Sequence, residues 1–123
     1  EGDTCMKTSY YFSNRIREPG LNLVAVSNTF PRHLPWLKDA LAYKKLCPGW
    51  SLVKEYKRHN ISWQNYVEIY QEDILDKLDP EKVYNDLRED AVILCWEKPG
   101  MLCHRRLIAD WLYDRLRIRV NEL

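Results

Sequence analysis

The chain has 123 residues, of which 46% are apolar and 30% charged, with a net charge of +1. That length gives one domain with room for its own core. The near-neutral charge argues against a general electrostatic grip on nucleic acid, leaving only a local basic patch at Lys54, Lys57, Arg58 and His59.

No apolar run approaches the length of a membrane span, and none is expected. The acidic, polar start lacks the basic and apolar regions of a signal peptide, and residues 1–5 read as a flexible extension. Without a secretory signal, Cys5, Cys47, Cys95 and Cys103 read as free thiols in a reducing cytoplasm.

In chain order, residues 7–12 mix Thr, Ser, Tyr and Phe and suit a short strand. Pro19-Gly20 marks a turn. Residues 21–26 are apolar on both faces near their end and predict a buried strand, which residues 27–29 leave at a sheet edge. Residues 31–53 carry Pro31, Pro35, Pro48-Gly49 and several aromatics, which predicts irregular structure around a short helix at 37–43. Residues 54–59 look like an inserted loop.

Residues 62–78 predict a helix. Ser62 can cap it, and Trp63, Tyr66, Val67, Tyr70, Ile74 and Leu78 fall on one stripe. Asp79-Pro80-Glu81 starts another: an N-cap acid, proline at the first helical position, then an acid in the first turn. Residues 91–95 form the clearest strand. A last helix opens at Leu102 or Cys103, turning Leu107, Ile108, Trp111 and Leu112 inward. Residues 116–120 alternate with period two and predict a short edge strand. The sum is an α/β fold: a small, largely parallel sheet of three or four strands with helices packed on it.

Residues 94–106 concentrate the reactive side chains. A strand running through a Pro-Gly turn into a helix start is the layout α/β proteins use for ligand sites, because the helix start offers free amides to an anion. Cys103 in a first helical turn would favour its thiolate and be the candidate nucleophile, or else a small buried apolar group. His104 would move protons or tie down a helix end. Arg105 works against the helix dipole unless an anion faces it, either a ligand or Glu97. Glu97 would be a general base, a hydroxyl acceptor or that salt-bridge partner.

Arg106 reads as solvated, pairing with Asp110. Cys95 reads as a core thiol, and redox sensing would require it within reach of Cys103. Ser9, Tyr10, Ser27 and Asn28 would line the same sheet edge and hydrogen-bond a polar ligand. Cys95, Cys103 and His104 are metal-ligand types, with Cys47 or His33 as a fourth. However, no C-x-x-C or H-x-x-x-H spacing is present, and adjacent helical residues point about 100° apart. No metal and no cofactor is expected.

Cys95-x-Glu97-Lys98, then Cys103-His104-Arg105 and Ala109-x-Trp111-Leu112, resembles the carboxy-terminal signature of the domain-of-unknown-function 488 family. Thr8-Ser9-Tyr10, Val24-Ala25-Val26-Ser27, Lys45-Leu46-x-Pro48-x-Trp50 and Trp63-x-x-Tyr66 are similar in kind and order to its short bacterial and phage members. The resemblance covers nearly the whole chain from Met6. It implies a small cytoplasmic α/β protein and names no reaction. This chain departs from it at Asn28-Thr29-Phe30-Pro31, where short relatives carry a basic residue and a glycine turn.

The expected function is binding of a small anionic or nucleotide-like ligand at the carboxyl edge of the sheet, with hydrolase or transferase chemistry. Arg105 would hold the anion, with Glu97, Cys103 and His104 as catalytic groups. The alternative is a non-enzymatic module for protein or nucleic acid, in which the cluster is structural.

Overall fold

The computed structural model describes residues 2–123, with side chains from Cys5 onward. Five strands form one parallel sheet: β1 (Gly2–Tyr10), β2 (Asn22–Ala25), β3 (Leu41–Ala42), β4 (Ala91–Cys95) and β5 (Ile118–Glu122), in the order β3-β2-β4-β1-β5. Four helices accompany it: α1 (Trp50–Lys57), α2 (Trp63–Asp73), α3 (Pro80–Leu87) and α4 (His104–Leu116). The architecture is the expected α/β class, with five strands where three or four were expected.

β4 is central and all five of its residues are buried. Alternation sends Ala91 and Ile93 to the helical side, beside Met6, Val24 and Val26. There they meet Tyr70 of α2, Val83 and Leu87 of α3, and Ile108 and Leu112 of α4. Val92 and Leu94 face the other side with Leu23 and Ala25. That face is covered by 3₁₀ turns, Asn14–Ile16 and Pro35–Leu37, which contribute Ile16 and Leu37, and by Tyr11 and Phe30. A strand buried on both faces has no polar alternation, which is why 91–95 reads as a continuous apolar run.

Four expectations are corrected. Residues 37–43 do not form a helix: a 3₁₀ turn ends at Leu37, and Leu41–Ala42 join the sheet as β3. The inserted loop at 54–59 is largely the end of α1, which buries only Leu52 and so carries little apolar periodicity. The helix expected over 62–78 stops at Asp73 and continues as a 3₁₀ turn, Leu75–Lys77. Finally, Gly2 to Cys5, read as a flexible extension, belong to β1, where Gly2 pairs with Ile118. The start of α2 is as expected: Ser62 Oγ accepts from Asn65 N at 3.0 Å, and the Asn65 side chain returns to the Ser62 backbone.

The connection leaving β2 runs to β3 on one side, while that leaving neighbouring β4 runs to β5 on the other. Loops that diverge from adjacent parallel strands open a crevice at their carboxyl ends. Among the described residues no helix is long and apolar enough to cross a membrane.

Candidate functional site

A cleft of about 600 Å³ opens at this divergence. Ser27, Asn28 and Thr29 line it from the end of β2, and Cys95, Trp96 and Glu97 from the end of β4. Trp50 and Tyr56 of α1 and Trp63 and Tyr66 of α2 form the aromatic wall, and Cys103 and His104 lie at the start of α4. Of the seven large apolar residues that are exposed among those described, Trp50, Trp96, Met101 and Leu102 line this one cleft. Such concentration marks a binding surface more than scatter does.

Ser27 and Asn28 hold the β2 side. Ser27 Oγ donates to the Thr29 carbonyl at 2.6 Å, so the Tyr11 hydroxyl donates to Ser27 Oγ. Burial pushes the Tyr11 phenol above its ordinary range and keeps it a donor. Asn28 Oδ1 accepts from Gly49 N at 3.1 Å, tying this loop to the start of α1. Ser9 and Tyr10 pair in register with Leu94 and Cys95, on the far side of β4 from β2, and do not line the cleft.

Cys103 caps α4 with extended backbone, φ −151° and ψ 146°. It is therefore not a helical neighbour of His104, and the 100° separation expected between them does not apply. The Sγ atoms of Cys95 and Cys103 and a ring nitrogen of His104 all lie within 4.8 Å of one another. Cys95 and Cys103 are joined in a disulfide, with Cα atoms 7.4 Å apart, so only Cys5 and Cys47 are free thiols. This corrects the expectation of four free thiols and brings together the pair that redox chemistry needs.

His104 Nε2 lies 2.7 Å from the Val26 carbonyl. A carbonyl can only accept, so Nε2 carries the proton and Nδ1 presents its lone pair, 3.8 Å from Cys103 Sγ. Burial, and then the charge of Arg105, lowers the imidazole to about 4 against the opposing bond to Val26. His104 is thus neutral at pH 7: a lone-pair donor held in one tautomer and a weak general base.

Arg105 is 1% exposed and does not line the cleft. Its Nε and Nη2 reach Glu122 Oε1 and Oε2 at 3.1 and 2.8 Å. Nη1 donates to the Glu97 carbonyl at 2.6 Å and to Cys95 Sγ at 3.1 Å. The anion that Arg105 requires is therefore the Glu122 carboxylate, not a ligand and not the Glu97 side chain. Glu97 itself is half-buried in the cleft lining.

Arg106, expected in solvent beside Asp110, donates instead to Thr8 Oγ1 at 2.7 Å and the Val120 carbonyl at 3.1 Å. Lys57 is the cation that lines the cleft. Sequence reasoning missed Glu122 as part of the site, whereas the Trp and Tyr residues of the middle segment could be read there as a pocket wall or as core, and Trp50, Tyr56, Trp63 and Tyr66 line the cleft. The period-two tail did signal a strand, but its expected end at 120 falls two residues short of Glu122.

The rings of the wall form a ladder into the core. Trp63 stacks on Tyr66 at 4.8 Å, Tyr66 on Tyr70 at 6.3 Å, and Tyr70 meets the edge of His104 at 5.6 Å.

No curated protein and no solved structure matches the chain. A family model described as the active DUF488-N3 subclade matches residues 6–116, from the middle of β1 to the end of α4. The chain therefore belongs to the DUF488-N3a family.

Proposed function

We propose that this DUF488-N3a domain acts in the cytoplasm as a hydrolase or transferase on a small nucleotide-like ligand held in the cleft between β2 and β4. The observation that carries the reading is the aromatic wall, Trp50, Trp63 and Tyr66, facing the polar ends of β2 and β4 across one cleft. A flat base stacks on such rings, and Ser27, Asn28 and Glu97 offer it hydrogen-bond partners. With Arg105 held by Glu122, the anionic part of the ligand falls to Lys57. Glu97 is the acid of the lining suited to proton transfer or nucleophilic attack.

The test is titration of nucleosides and their phosphates, read by tryptophan fluorescence and thermal unfolding. Quenching and stabilisation should weaken in Trp63→Ala, and Lys57→Ala should lose the preference for phosphorylated ligands. Equal responses in parent and both variants would sink the reading.

A second reading is a non-enzymatic module, and the buried Arg105–Glu122–Cys95 network favours it. Under it, Glu97→Gln leaves every activity assay unchanged while protein or nucleic-acid partners still bind.

A further inference from the structure

We propose that the reduced chain holds a divalent cation of the zinc class between Cys95 Sγ, Cys103 Sγ and His104 Nδ1, with the fourth position open to the cleft. This goes beyond the ligand reading and stands without it. The three donor atoms come from the end of β4, the cap of α4 and its first residue, and lie within 4.8 Å of one another. Tetrahedral zinc with Cys and His ligands sets its donors about 3.6 Å apart. Cys103 Sγ and His104 Nδ1 are already at 3.8 Å. The 7.4 Å between the Cα atoms of Cys95 and Cys103 exceeds the range over which most directly bridged cysteines sit, about 4.4–6.8 Å, so once the bridge is opened the sulfurs can part to the spacing of two ligands without the backbone moving.

The surroundings complete the argument. A metal-binding histidine usually donates its other ring nitrogen to a carbonyl, and His104 Nε2 does so to Val26. Arg105 Nη1 donates to Cys95 Sγ at 3.1 Å, which favours the thiolate a metal needs. Two thiolates and a divalent ion sum to zero, and Arg105 is neutralised by Glu122, so the occupied site adds no net buried charge. Cys47 is turned elsewhere, its Sγ donating to the Ser27 carbonyl at 3.2 Å. No fourth protein thiolate closes the site, and Cys103 and His104 both line the cleft. Three protein ligands and one open position are the arrangement of a catalytic rather than a structural zinc.

Occupancy requires the thiol form. A dithiol reductant gives two electrons and two protons to the Cys95–Cys103 bridge, forming two thiols and its own disulfide. The cation then displaces both protons and forms two metal–sulfur bonds and one metal–nitrogen bond.

The experiment is Co²⁺ titration of the reduced, chelator-stripped full chain, followed in the visible and near-ultraviolet. The expected result is one equivalent bound, with the strong d–d bands of tetrahedral cobalt and a thiolate-to-cobalt band. Zn²⁺ should abolish both. Cys95→Ser and Cys103→Ser should each lose the thiolate band while keeping their circular dichroism. A folded, reduced parent without these bands, or bands unchanged in both variants, overturns the proposal. Should the variants fail to fold, alkylation of the parent decides. Zn²⁺ must slow modification of Cys95 and Cys103 while Cys5 still reacts, and equal rates with and without Zn²⁺ overturn it.

Discussion

Arg105 and Glu122 clamp the first turn of α4 to the end of β5, guanidinium against carboxylate at 2.8 and 3.1 Å. The arginine is almost wholly buried and the glutamate is partly exposed. Losing the carboxylate would strand a buried cation, so Glu122→Ala should cost about 3 kcal/mol in urea unfolding. The double variant Arg105→Met/Glu122→Met should recover part of that, because it removes the stranded charge as well. Additive losses would show that the pair does not act as a unit.

The same glutamate sets an acid limit on stability. Burial raises its pKa, but hydrogen bonds from Arg105 and Thr8 and the charges of Arg105 and Arg106 outweigh this and leave it below its ordinary value. A carboxyl with a depressed folded-state value adds stability that is fully present above its unfolded value of 4.5 and is lost as pH falls through the folded one. Melting temperature should therefore drop more steeply below about pH 4.5 in the parent than in Glu122→Gln. Parallel curves would remove Glu122 from the acid transition.

Tyr70 is fully buried and donates from its hydroxyl to the Leu46 carbonyl at 2.6 Å. Phenylalanine keeps the ring in the aromatic ladder and leaves that carbonyl without its donor. Tyr70→Phe should cost about 1–3 kcal/mol by chemical denaturation. A neutral result would mean that another donor replaces the hydroxyl.

Gly49 sits before α1 at φ 84° and ψ 149°, a conformation that only glycine adopts comfortably. A Cβ there meets nothing within 4 Å, so the cost of Gly49→Ala is backbone strain alone, about 2 kcal/mol. Because Gly49 N also anchors to Asn28, the variant should loosen the α1 wall. Thermal unfolding checks the first expectation. Weaker quenching of Trp50 by ligand checks the second.

Where one physical signal dominated, the sequence was readable. β4 is buried on both faces and α2 has a capping box and a stripe, and both were placed from pattern alone. α1 was missed because Leu52 is its only buried residue, and β3 because two residues carry no period. At the site, Glu97, Cys103 and His104 line one cleft, and Cys95, which reads from the sequence as a core thiol, lines it with them. The role of Arg105 was not readable, since its partner Glu122 lies 17 residues away on another element. The closeness of the Cys95, Cys103 and His104 donor atoms was hidden for a local reason: the sequence does not show that Cys103 is extended rather than helical.

The strand order carries a consequence for how the chain is made. Of the five strands of the sheet β1 precedes the others in the chain, yet both its neighbours, β4 and β5, follow β2 and β3. Lys7 must wait for Val92, and Gly2 for Ile118. β4 then enters between β2 and β1, so neither can complete its ladder early. Contacts of such sequence separation form slowly. The nascent domain must carry β1 unpaired until β4 has been made, and the cleft comes into being only when β4 slots into place.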